Sequence, residues 1–163
     1  MVRYYRLKNY LNASHFVVFN GERGETHPHT WEFSALLIST TDSITKFTDT
    51  EKAIEKIFAP YQNKVLNELE PFNDFVPSLE NMTEYFVRRI SKVVRSFGYR
   101  LQEFEGSETP VRTYGVLIED EDRRTLKPVK VKLDEKVTTK MDPETEAKYV
   151  DSILEAMEKE KNE

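Results

Sequence analysis

The run HTWEFSALLIST, residues 29–40, sets the hardest constraint on the fold. Trp31, Phe33, Ala35 and Leu37 alternate with Glu32 and Ser34. In an extended chain a period of two puts all four apolar side chains on one face. Such a strand needs a cover, and the cover is legible downstream. Thr48 and Glu51 form a capping box ahead of Ala53, Ile54, Ile57, Phe58 and Tyr61, with Pro60 marking the end. Ser78 as N-cap and Gly98 as C′ residue bracket a longer helix. Met82, Phe86, Ile90, Val93 and Phe97 make its buried stripe, with Arg88, Arg89, Lys92 and Arg95 expected to face away.

The remaining segments fill in a sheet and a tail. Val2 to Phe19, rich in Tyr, Phe and Val, predicts one or two strands, and FNGERGE predicts an exposed loop. YRLQEFEG and RTYGVLIED predict two strands joined by a turn, and LKPVKVKLDE predicts a further short strand. Asp142 and Pro143 open a terminal helix with Ala147, Val150, Leu154 and Met157 as its stripe and charged residues at its end. The order predicts an α+β domain: an antiparallel sheet with helices on one face. At 163 residues the chain has the size of a single domain.

Composition removes several classes of function. There is no cysteine, so disulfides, thiolate metal sites and a cysteine nucleophile are excluded, and a cytoplasmic location is expected. A net charge of −5 with dispersed Lys and Arg argues against nucleic acid. No apolar run approaches the roughly 20 residues of a membrane span, and MVRYYRLKNY lacks a signal peptide's apolar stretch.

All three histidines, His15, His27 and His29, fall within residues 12–33. On a strand, His27 and His29 share a face, and His15 is far enough upstream to return on a neighbouring antiparallel strand. Three imidazoles at about 2.0–2.1 Å from a zinc ion, with one position open, make a catalytic-type site. H-x-H pairs also occur on surfaces without metal, and Pro28 is unusual inside a strand.

NASHF, HPHTWEF and PSLEN occur in that order and resemble the 6-pyruvoyl-tetrahydropterin synthase family, which includes the 6-carboxy-tetrahydropterin synthases of the queuosine pathway. The family reads roughly F-x-A-x-H, H-G-H, L-D-H-x-x-L-N and P-T-x-E-N, then a strand ending in Glu. Leu11, Ala13 and His15 fit the first block, and His27, Pro28 and His29 the second. Leu66 and Asn67 fit the end of the third, and Pro77, Ser78, Glu80 and Asn81 the fourth. The resemblance spans about residues 2 to 118.

The resemblance implies a T-fold: a four-stranded antiparallel sheet with two helices on one face, assembled into an oligomeric barrel, commonly a hexamer. The T-fold domain is then residues 1–133, and residues 134–163 are a charged helical extension. It implies zinc held by His15, His27 and His29 and a pterin ring anchored by Glu105, with Glu108 as runner-up. A carboxylate accepts the ring N–H and the exocyclic amino group together. Glu80 either helps hold the ring or is a first-turn carboxylate stabilised by the helix dipole. Pterin-synthesising members use a cysteine before H-G-H with the Asp and His of L-D-H. Here the cysteine is absent, and Tyr61, Gln62 and Asn63 occupy the L-D-H positions. Neither amide exchanges a proton near neutral pH. One branch of the family uses glutamate in place of that cysteine. Glu22 and Glu25, just before His27, are therefore either the substitute base of a zinc-dependent lyase or ordinary solvated carboxylates. The alternative is an inactive relative that binds pterin or serves as an oligomeric scaffold.

Overall fold

The computed structural model describes residues 2–41 and 47–119, with the helical residues Asp151, Leu154 and Glu155. The strands are β1 (Tyr4–His15), β2 (Val18–Phe19), β3 (Glu22–Arg23), β4 (His27–Ser39), β5 (Tyr99–Thr109) and β6 (Arg112–Leu117). The helices are α1 (Phe47–Phe58) and α2 (Leu79–Ser96). One antiparallel sheet runs in the order β1-β4-β5-β6, and β2 and β3 form a separate small hairpin. Its turn is Asn20–Gly21, both at positive φ, the Asn-Gly signal of a two-residue hairpin inside the expected loop.

Period two holds along β4. Trp31, Phe33, Ala35 and Leu37 are buried, against Leu11 and Ala13 of β1 and Leu101 and Phe104 of β5. Both helices cover this face. Ala53, Ile54, Ile57, Phe58 and Tyr61 are buried from the first, and Met82, Phe86, Ile90 and Val93 from the second. Stacked Phe33 and Phe104 rings, with Phe58 and Phe86 against Phe33, tie the layers together. The Ser78 hydroxyl accepts from the Asn81 N–H as the N-cap, and Gly98 takes φ +77° at the other end. Thr48 lies inside α1, which is already helical at Phe47.

One expected face is corrected. Arg89 is buried rather than facing solvent. Its guanidinium lies 3.6 Å above the Tyr85 ring one turn back, a cation–π seat that lets the long stem fill space in the core. Arg95 is exposed, as expected. The predicted strand LKPVKVKLDE lies outside the described residues. So does most of the predicted terminal helix, although Asp151, Leu154 and Glu155 are helical and Leu154 packs against the core.

Candidate metal centre

The apolar stripe of β4 continues outward as His29 and His27. In the β1–β4 register, His15 pairs with His27, and Ala13 with His29. The three rings therefore meet on the core side at one end of the sheet, with centroids 4.7 to 5.2 Å apart. Trp31 floors the cluster, 5.0 Å from both the His15 and His29 rings. Glu108 completes it from β5: the ligand atoms of His15, His27, His29 and Glu108 all lie within 4.8 Å of one another.

The outer nitrogens fix the tautomers. His15 Nδ1 sits 2.7 Å from the Pro77 carbonyl, and His27 Nδ1 is 2.9 Å from the Glu25 carbonyl. A carbonyl only accepts, so each Nδ1 carries a proton, and in the neutral tautomer that this selects Nε2 is the nitrogen left to ligate. Burial is the main influence on His15 and His29. It holds both below the usual histidine value against the opposing pull of Glu108, which favours the neutral, ligating form.

His15 Nε2 lies 3.2 Å and His29 Nε2 3.0 Å from the same oxygen, Glu108 Oε1. Neither contact has hydrogen-bond direction, and both nitrogens are buried without a hydrogen-bond partner. With both rings in the neutral form that burial favours and Nε2 turned inward, these nitrogens and the carboxylate oxygen repel one another, and a bound cation turns that repulsion into attraction. The residues therefore fit a metal ion, and imidazole with carboxylate is a donor set that zinc accepts.

The other candidate residues are spread more widely. Glu105 lies on the opposite face of the sheet, where it and Glu103 pair with Arg6 at 3.3 and 2.8 Å. The cause is one extra residue: Leu36 pairs with Glu103 but Leu37 with Leu101, so Gln102 is a bulge. Before it, Tyr99 and Leu101 face the core; after it, Phe104, Gly106 and Glu108 do. Glu80 is partly buried in the first turn of α2, near Tyr114, whose hydroxyl donates to Glu84 at 2.8 Å. Glu22 and Glu25 are exposed in and beside the small hairpin.

The loop after α1 has a structural task that sequence reasoning missed. Gln62 accepts from the Asn12 N–H at 3.0 Å and donates to the Tyr10 carbonyl at 2.7 Å. Asn67 does the same for Phe16, at 2.9 and 3.0 Å. Ser14 N–H donates to the Lys64 carbonyl at 2.8 Å. These residues pair with the outer edge of β1 beside His15. Amides spaced to satisfy a bare strand edge were the available signal.

An antiparallel sheet backed by two helices, with three histidines and a glutamate at one end, defines an α+β protein with a candidate metal centre. A sequence profile of the family described as 6-pyruvoyl tetrahydropterin synthase matches residues 4–119. The chain belongs to that family, whose members are pterin-processing proteins. Its fold is similar to Caenorhabditis elegans 6-pyruvoyl tetrahydropterin synthase, with 14% identity, TM-score 0.59, and 72% of this chain and 96% of that chain covered. The Plasmodium vivax synthase matches at 15% identity and TM-score 0.54, covering 71% and 97%. The Plasmodium falciparum synthase matches at 15% identity and TM-score 0.53, covering 71% and 96%. A search of curated proteins gave no match.

Proposed function

We propose that this chain is a zinc protein that binds a dihydroneopterin-type pterin, with His15, His27 and His29 as metal ligands. The observation that carries this is the pair of buried Nε2 atoms, of His15 and His29, that converge on Glu108 Oε1 without forming a hydrogen bond. A zinc ion held there supplies a Lewis acid for the oxygens of the pterin side chain. Pro77 and Glu25 orient two of the rings through Nδ1. Trp31 and the core behind it exclude water from the inner side. For the ring anchor, geometry favours Glu108 over Glu105, because Glu108 shares the histidines' face and Glu105 is engaged with Arg6. Glu80, on the same side of the sheet, is a second carboxylate for the ring.

Family membership leaves the reaction open, and Gln62 argues against the usual chemistry. Both ends of its amide are used by the β1 backbone. It substitutes for strand pairing where other members keep an acid–base pair. Pterin binding without turnover is thus the reading the geometry supports best.

A second reading, a zinc-dependent lyase, rests on Glu22 and Glu25. A structure of the P. vivax synthase is described as a mutant of a catalytic glutamate. In this chain Glu25 adjoins the His27 ligand through its own carbonyl, and either carboxylate would serve as base.

Trp31 is the only tryptophan of the chain, so its fluorescence reports the site directly. Cobalt(II) added to metal-free protein is expected to quench it stoichiometrically, with the effect lost in His27→Ala. No quenching and no zinc in the purified protein would overturn the metal site. Incubating zinc-loaded protein with dihydroneopterin triphosphate or dihydroneopterin separates the readings. Binding without product supports the first; product that disappears in Glu22→Gln or Glu25→Gln supports the second.

A further inference from the structure

Glu108 is claimed twice. Its carboxylate faces the Nε2 atoms of His15 and His29, and it is also the best-placed anchor for a ring. We propose that it serves both in turn: it is an exchangeable fourth ligand that closes the metal's coordination shell until a pterin ring takes it away. This rests on the metal site proposed above and adds a mechanism of access to it.

Two features of the structure and one of the ring support the exchange. A tetrahedron with arms of about 2.0–2.1 Å has edges of about 3.3 Å, and Glu108 Oε1 stands 3.2 and 3.0 Å from the two Nε2 atoms. These are edge lengths without hydrogen-bond direction, as expected of two ligands of one ion. Second, Glu108 is itself a bulge. Ser107 pairs with Thr113 and Thr109 with Arg112, so the backbone of Glu108 has no place in the ladder. Its side chain can swing without breaking a strand pair, as bulged residues commonly do beside functional sites.

Third, the ring's demand conflicts with the metal's. A pterin edge offers an N–H and an amino group side by side, and holding both engages both carboxylate oxygens. Ring binding therefore competes with the bond from Oε1 to the metal. The coordination position opens only when a ring is present to use it, which excludes water and small anions from the metal at rest. The expected three-histidine site with a standing open position becomes a site that its own glutamate closes.

The test uses full-length protein loaded with zinc or cobalt(II). Zinc affinity is measured by competition with a chromogenic chelator, and coordination by the visible cobalt spectrum. Glu108→Gln is expected to weaken zinc by about tenfold or more and to change the cobalt band. Glu105→Gln should leave both unaltered. Neopterin added to the wild type should move its cobalt spectrum toward that of Glu108→Gln. A Glu108→Gln protein with wild-type affinity and spectrum overturns the proposal and leaves the three-histidine site standing. A wild type that takes up no metal overturns both. Should the variant fail to fold, the wild type alone decides. Azide leaves the cobalt band unchanged if the protein occupies the fourth position, and a shift on azide addition overturns the proposal.

Discussion

At the scale of single residues, Gly106 shows how closely the helical layer presses on the sheet beneath the site. A Cβ there would collide with Thr83 Oγ1 and sit 2.9 Å from Phe33 Cε1. Thr83 cannot turn aside freely, because its hydroxyl donates to the Leu79 carbonyl at 2.7 Å. Gly106→Ala is expected to cost about 1–3 kcal/mol by overpacking, seen as a lower urea midpoint at unchanged slope, and Thr83→Ala should recover part of it. Tyr114 carries a pH effect. Burial, then the hydrogen bond and charge of Glu84 with Glu80 nearby, push it up to about 12. The folded state thus keeps a proton that the unfolded chain releases near pH 10. Stability falls as pH rises between those values, and Tyr114→Phe should flatten that fall in alkaline urea titrations. This scale is also where the sequence was hardest to interpret. Counting by twos from Tyr99 and Leu101 brings Glu105 to the core face; the extra residue Gln102 gives that face to Glu108. A one-residue bulge leaves no compositional mark, so the resemblance alone left Glu105 and Glu108 both open as the ring anchor.

Among elements, the segment from Gln62 to Asn67 acts as a short false strand on β1. Its side-chain amides supply what a neighbouring backbone would otherwise supply. Asn67→Ala leaves the Phe16 N–H and carbonyl without their partner and should cost about 1–2 kcal/mol. Gln62→Asp cannot donate to the Tyr10 carbonyl and should raise amide exchange at Asn12 and Ser14, measurable by hydrogen–deuterium exchange. Protection equal to wild type would show that the segment is not held this way. The main strands and both helices were legible where they carry a strong period, Trp31 to Leu37 at period two and Ser78 and Gly98 at the ends of α2, whereas the two-residue strands of the small hairpin are too short to carry one. The edge cover was not, since a loop's hydrogen-bonding duty depends on which strand lies beside it. Arg89 was misplaced for a related reason: a helical wheel does not show that Tyr85 offers a ring for a cation to stack on.

For the whole molecule, the sheet has two edges. Among the described residues β1 pairs with β4 along its length and β6 pairs with β5, leaving the outer sides of Tyr4–Lys8 and of β6 without a strand partner. Exposed Tyr4, Tyr5 and Leu117 lie along these edges. Bare edges of this kind template pairing with another chain. We therefore expect a homo-oligomer, with a hexamer as the assembly implied by the family. Sedimentation should give a multiple of 19.2 kDa, and a species of that mass alone at micromolar concentration would refute it. No helix among the described residues is long and apolar enough to cross a membrane. One feature of β4 reaches across all three scales. Leu37, Ala35, Phe33, Trp31, His29 and His27 share a side of a single strand, so the greasy interior and the candidate metal-binding end are read off the same ruler. Slipping that strand by one position against β1 would turn both imidazoles outward together with the core. For the metal site proposed above, core formation and metal uptake would then be lost together in any chain that paired this strand out of step.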